Sequence, residues 1–143
     1  MLPLSDREIK VTYGKTTIGE VPVLLVGHPP MFHRDGPYDD HGHPYPDNDR
    51  RFILFSKAAI LGAEEYFNPA CYHVHDWFTG IVPMLLKYHE EIPNRPSIFT
   101  IHNLHHQGKF PPQSFRYSGI SWDYFRFNTA EHYGQLNLMK AGI

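Results

Sequence analysis

Cysteine is nearly absent from this sequence: Cys71 is the only one in 143 residues. That excludes an internal disulfide, leaves any thiolate metal site without a second cysteine, and fits a reducing compartment, so a cytoplasmic location is expected. Excess charge is missing too. Thirteen Lys and Arg stand against 15 Asp and Glu, a formal net charge of -2, which offers no long-range attraction to nucleic acid or to an anionic membrane. Neither is expected as a partner. Long hydrophobic runs are also lacking. "VPVLLV" (21–26) and "IVPMLL" (81–86) fall far short of the ~20 residues a membrane helix needs, and the N-terminus has no charged-then-apolar signal pattern.

What the chain has instead is 11 His, 13 Pro and 15% aromatic residues, a mixture suited to loops that present flat and hydrogen-bonding surfaces to a ligand. The length accommodates one domain, residues 1–143, with its own core. "EIKVTY" (8–13) and "VPVLLV" (21–26) are β-branched and apolar and read as two strands around a polar turn, "GKTTIGE". Residues 27–49 are rich in Pro, Gly and acidic side chains without any period, which predicts a long solvated loop. A helix of about 18 residues is expected from Asp49 to near Asn68-Pro69, with a stripe of Phe52, Phe55, Ala59 and Ala63 and a cap from Asp47 or Asn48.

"CYHVHD" (71–76) reads as a strand, 79–92 as a helix with Pro83 in its first turn, and "PSIFTIHN" (96–103) as a strand. Strand, helix, strand is a βαβ unit with parallel strands. Residues 104–128 are aromatic and irregular, and the chain closes in a helix expected from near Thr129. The fold class is therefore α/β. Ligands of open parallel sheets bind beyond the carboxyl ends of the strands, which is where Asp76 and His102 stand, so the two are expected to face one cleft.

Several chemistries suit these residues. Alternation puts His73 and His75 on one face of their strand, a pair that with Asp76, His102, His105 or His106 would make a metallohydrolase site. An isolated H-x-H specifies little, and no second pair has helical ligand spacing, so no metal and no cofactor is expected. The plainer reading keeps His73 as a half-buried, hydrogen-bonded strand residue and gives ligand contact to His75 and Asp76. Trp77 serves as a plug between strand and helix or as a platform for a sugar, and Gly80 lets its helix approach the ligand or the sheet closely.

Four blocks, "DNDRRFILFSKAA", "HVHDWFTGIVPMLLKY", "SIFTIHNLHHQGKFP" and "EHYGQLNLMKAGI", together resemble the bacterial glycogen synthase and plant starch synthase family in order and spacing. The loop "FHRDGPYDDHGHPY" is similar to that family's F-D-R-x-G-x-Y-x-D stretch. The resemblance implies the N-terminal half of a GT-B glycosyltransferase, a partial Rossmann-like parallel sheet with flanking helices. It implies retaining transfer of glucose from ADP-glucose, or UDP-glucose, to the non-reducing end of an α-1,4-glucan. By position, Asp76 matches the aspartate facing the sugar cleft and His102 the histidine contacting the transferred glucose, the two catalytic candidates. His75, Trp77, Gly80, Asn103, Gln107 and Gly108 are the substrate-binding candidates. The family's Gly-rich donor loop and second domain have no counterpart here, so the resemblance implies a truncated domain that binds the nucleotide sugar only together with a C-terminal domain and transfers no glucose alone. A glucan-binding or regulatory remnant without catalysis is the alternative from another class.

Overall fold

The computed structural model describes residues 1–143. Two antiparallel hairpins open the chain. β1 (Leu2–Leu4) pairs with β2 (Arg7–Ile9) around Ser5 at φ 61°, and Leu2 and Leu4 are buried. β3 (Thr12–Ile18) pairs with β4 (Val21–Gly27) along their full lengths. The expected strand 8–13 is thus the end of one hairpin and the start of the next. The expected polar turn is mostly strand, because Thr16, Thr17 and Ile18 are β-branched and only Gly19, at φ +60°, and Glu20 are needed to reverse the chain.

Residues 28–47 contain a single helical turn, α1 (Pro29–Phe32), and a two-residue hairpin, β5 (Asp39–Asp40) with β6 (His43–Pro44). Most of this segment is exposed, as expected of a solvated loop, but its backbone is fastened to the helix that follows. Arg51 is buried and its guanidinium donates to the carbonyls of Met31 and Pro37, while the buried Asn48 donates to the Tyr38 carbonyl. The side chains of α2 (Asn48–Tyr66) therefore satisfy the backbone of the loop before it, as buried polar groups must be. Neither Asp47 nor Asn48 caps α2 with its side chain: the Asp47 carboxylate accepts from Arg34 at 2.9 Å. The buried face of α2 carries Ile53, Leu54, Lys57, Ala58 and Ile60. Phe52, Phe55, Ala59 and Ala63, the expected core stripe, lie on the half-buried flank, where Phe52 meets Trp77 and Phe55 meets Phe32.

The βαβ unit forms as expected. β7 (Tyr72–His75) and β8 (Ser97–Thr100) are parallel, with His73 opposite Ile98 and His75 opposite Thr100. The connecting helix is split into α3 (Asp76–Thr79) and α4 (Val82–Tyr88), with Pro83 in the first turn of α4. It ends at Tyr88 instead of Ile92. Val82, Met84, Leu85 and Leu86 fill one continuous core with Ile53, Leu54, Ile60, Val74, Phe115 and Leu138.

β9 (Lys109–Phe110), two 3₁₀ turns (Pro112–Ser118 and Trp122–Tyr124), β10 (Glu131–His132), β11 (Gln135–Asn137) and α5 (Leu138–Ala141) complete the chain. The three strands form an antiparallel sheet in the order β10-β11-β9. The helix expected from Thr129 is thus a hairpin, because Tyr133 (φ 50°) and Gly134 (φ 76°) both adopt the left-handed conformation of a two-residue turn. Only Leu138–Ala141 of that stretch are helical. No helix of the protein is long and apolar enough to cross a membrane.

Candidate functional site

The chain turns sharply where β7 meets α3, and Asp76 makes that turn at φ 55°, a left-handed conformation that Asp tolerates better than most residues. Its Oδ1 accepts from the backbone N–H of His102 at 2.7 Å and of Asn103 at 3.3 Å. One carboxylate oxygen therefore fastens the chain leaving β8 to the chain leaving β7. The two segments meet at the carboxyl ends of the parallel pair, as the βαβ pattern predicts.

The three histidines of this region form a row on one side of the sheet. His73 Nε2 lies 2.7 Å from Thr100 Oγ1, and the His73 and His75 rings are 4.3 Å apart. His75 Nδ1 and His102 Nε2 share a hydrogen bond of 3.1 Å, with the rings stacked at 5.3 Å. His73 is exposed, not half-buried as expected. No three His, Cys, Asp or Glu side chains converge so as to hold an ion.

Asp76, Trp77, Asn103 and Gly108 line a cavity of about 540 Å³ together with Tyr38, Asn48 and Phe110. Its wall is aromatic. Trp77 meets Phe52 edge-on at 4.9 Å and lies 6.0 Å from both Tyr38 and Phe110. Burial, and then the nearby Asp76 carboxylate, push the Tyr38 phenol above its ordinary value. Asp39, Lys109 and His106 add charge and an imidazole to the lining. A half-buried pocket with an aromatic wall, two carboxylates, one ammonium and amide or imidazole donors is suited to a hydroxyl-rich ligand.

The other sequence candidates stand behind this cavity or beside it. Gly80 is buried, and a Cβ there would lie 2.2 Å from the Leu138 carbonyl oxygen, so its close approach is to the start of α5 rather than to a ligand or the sheet. The Gln107 carbonyl accepts from Met139 N–H and its side chain accepts from Asn137 Nδ2 at 2.9 Å, while the Gly108 carbonyl accepts from Leu138 N–H. These bonds stitch residues 107–108 to 137–139. At Gly108, φ is +61° and a Cβ would stand 2.4 Å from Trp77 Cε3, so glycine here lets the indole lie flat against the chain. His75 and His102 pair beside the cavity without lining it. Sequence reasoning missed Tyr38, Asn48 and Phe110 as site residues. The available signal was the density of aromatic residues flanking "HDW", without any period to say which would converge.

Comparison with known proteins identifies the family and the fold. The family model described as starch synthase catalytic domain matches residues 2–143. Glycogen synthase 2 of Geobacter metallireducens is 39% identical over 134 residues, covering 90% of this chain and 28% of that protein. The glycogen synthase of Anaeromyxobacter dehalogenans is 40% identical over 131 residues, covering 87% of this chain and 28% of that protein. The catalytic domain of starch synthase IV from Arabidopsis thaliana, solved bound to ADP and acarbose, has a similar fold, with a TM-score of 0.79 at 24% identity over 97% of this chain and 29% of that one. The chain thus spans under a third of the length of the curated relatives it matches. With a family match running from its second residue to its last, the chain belongs to the starch synthase catalytic domain family.

Proposed function

We propose that residues 1–143 supply the acceptor side of the sugar cleft in a retaining glucosyltransferase of glycogen or starch synthesis. Glucose passes from ADP-glucose, or UDP-glucose, to the non-reducing end of an α-1,4-glucan. The observation that carries this reading is the junction of β7 and β8, where Asp76 and Asn103 open into a cavity walled by Trp77, Tyr38 and Phe110. Its chemistry is that of a hexose site. Aromatic rings cover the apolar face of a sugar, and the carboxylate and amide hold its hydroxyls at fixed angles.

In the transfer the bond from glucose C1 to the diphosphate oxygen breaks and a bond from C1 to the acceptor O4 forms, with the hydroxyl proton leaving toward the diphosphate. The transition state carries oxocarbenium character. Asp76, held by two backbone N–H groups, is the negative charge this segment offers to it, with its second oxygen, Oδ2, left for the sugar. His102, paired with His75 at the edge of the cavity, is the residue that family resemblance assigns to the transferred glucose. Trp77 and Asn103 hold the sugar, Gln107 and Gly108 shape the floor beneath them, and Gly80 sets the packing behind. The nucleotide is bound by the part of the enzyme that corresponds to the relatives' remaining length. A cytoplasmic location belongs to this reading, and an exposed, unpaired Cys71 fits a reducing compartment.

A calorimetric titration of the chain with maltoheptaose tests the reading. Saturable binding that Tyr38→Ala weakens at unchanged stability is the expected result. Binding that survives Tyr38→Ala and Asn103→Ala together would place the glucan elsewhere and sink the assignment of this cavity.

A further inference from the structure

A second cavity, of about 370 Å³, shares no residue with the aromatic one. It is built around a buried cation. The Lys57 side chain, 2% exposed on the inner face of α2, donates to the Pro3 carbonyl at 2.7 Å. None of the three ion pairs in the structure includes it. Buried ammonium groups are usually matched by a carboxylate or an anion; Lys57 has only the Pro3 carbonyl as a hydrogen-bond partner, with Glu91 and Glu8 acting on its charge from a distance.

The second donor of this cavity is His89. Its Nδ1 accepts from the Glu91 backbone N–H at 3.2 Å, which places the ring proton on Nε2. Gly119 stands against both groups. It follows the first 3₁₀ turn at φ +77°, and a Cβ built on it would lie 2.9 Å from His89 Nε2 and 3.4 Å from Lys57 Nζ. A side chain at 119 would crowd both groups, so glycine leaves His89 Nε2 and Lys57 Nζ facing the cavity that all three residues line. Arg116 adds a further cation to the lining, and the Tyr88 and Tyr124 rings, stacked at 4.2 Å, form a flat wall.

We propose that this cavity is an oxyanion-binding site, in which one oxygen of a small molecule's phosphate or carboxylate group sits beside Gly119 and accepts from Lys57 Nζ and His89 Nε2. Glu90 and Glu91 line the same cavity, so the site selects a ligand with one anionic group and repels a polyanion. Burial is the largest influence on both donors and pushes Lys57 and His89 below their ordinary values; a bound anion opposes that shift by favouring their charged forms.

Histidine-resolved NMR of the chain, titrated with inorganic phosphate in one arm and acetate in another, tests the proposal. Saturable shifts of the His89 ring and the Gly119 amide are expected, with a rise in the pH at which His89 titrates. A response to phosphate alone assigns a phosphate group, and a response to both assigns a general oxyanion site. Gly119→Asn, a residue that tolerates φ > 0 and whose side chain fills the cradle, is expected to weaken binding about tenfold, equivalent to about 1.4 kcal/mol. His89→Leu, which leaves the Gly119 turn alone, is expected to weaken it as well. No saturable shift in a folded chain, or equal affinity in the folded variants, would mean an adventitious ion only and overturn the proposal.

Discussion

At the scale of single residues, the site depends on two positions where backbone geometry and chemistry coincide. Asp76 combines a left-handed φ with two hydrogen bonds from main-chain donors. Asp76→Asn preserves the tolerance of that φ and one acceptor oxygen, so a stability loss of about 1 kcal/mol is expected, against about 2–3 kcal/mol for Asp76→Ala, which loses both. Urea unfolding of the two variants measures the difference, and equal losses would show that the φ and the carboxylate contribute nothing separately. Gly108→Ala drives a methyl group into the Trp77 indole. A loss of about 2 kcal/mol or more and a changed tryptophan emission are expected. His89 gives a pH dependence. Its titration lies below the ordinary histidine value because burial and then Lys57 disfavour the charged ring, so the unfolded chain binds the proton more readily than the folded one. The resulting stability is fully present above the unfolded value of about 6.5 and is lost as pH falls below it. Unfolding curves of His89→Gln are expected to flatten over that acid limb. Asp76 was legible in the sequence because a strand end followed by a helix places a residue at the cleft whatever else the chain does. Tyr38 and Asn48 were not legible, since their positions depend on how residues 28–47 fold back over α2.

At the scale of elements, legibility followed the range of the interactions that set each one. The βαβ unit and the span of α2 rest on local patterns, β-branched runs and a long apolar periodicity, and both form where the pattern puts them. The buried face of α2 was misjudged by part of a turn, because Lys57 and Arg51 reach inward to backbone carbonyls and polar residues are read as outward by default. The closing segment was misread for a different reason. Its helix-forming residues are overridden by the β10-β11 turn and by the pairing of β11 with β9, which lies more than twenty residues earlier in the chain. That turn carries a correctable defect. Tyr133 holds φ 50° while 91% exposed, so its ring contributes almost no packing to offset the strain. Tyr133→Asn creates the Asn-Gly pair that suits a two-residue turn of this kind, and a gain of about 0.5–1 kcal/mol in unfolding free energy is expected. An unchanged or lower urea midpoint would show that the tyrosine has a partner.

At the scale of the whole molecule, the parallel pair is covered on one face only. Val74 is buried against the core, while the opposite face presents His73, His75, Ile98 and Thr100 as neighbours in register, with Ile98 57% exposed. Ile101 and Leu104 extend that apolar surface past the end of β8. Parallel strands ordinarily have both faces covered, and both outer edges of this two-stranded sheet also lack a β partner. No pattern in the sequence distinguishes a strand with one bare face, since "YHVH" and "SIFT" alternate as any half-buried strand does. The 143-residue chain is therefore expected to self-associate through this surface. Ile98→Lys puts a charge at the centre of the face without touching the core, so it should shift the chain toward the monomer at equal concentration in sedimentation velocity, with its unfolding midpoint nearly unchanged. If the variant associates as strongly as the parent chain, the contact lies elsewhere, with the exposed Ile18 and Val21 of the β3-β4 hairpin as the next surface to charge.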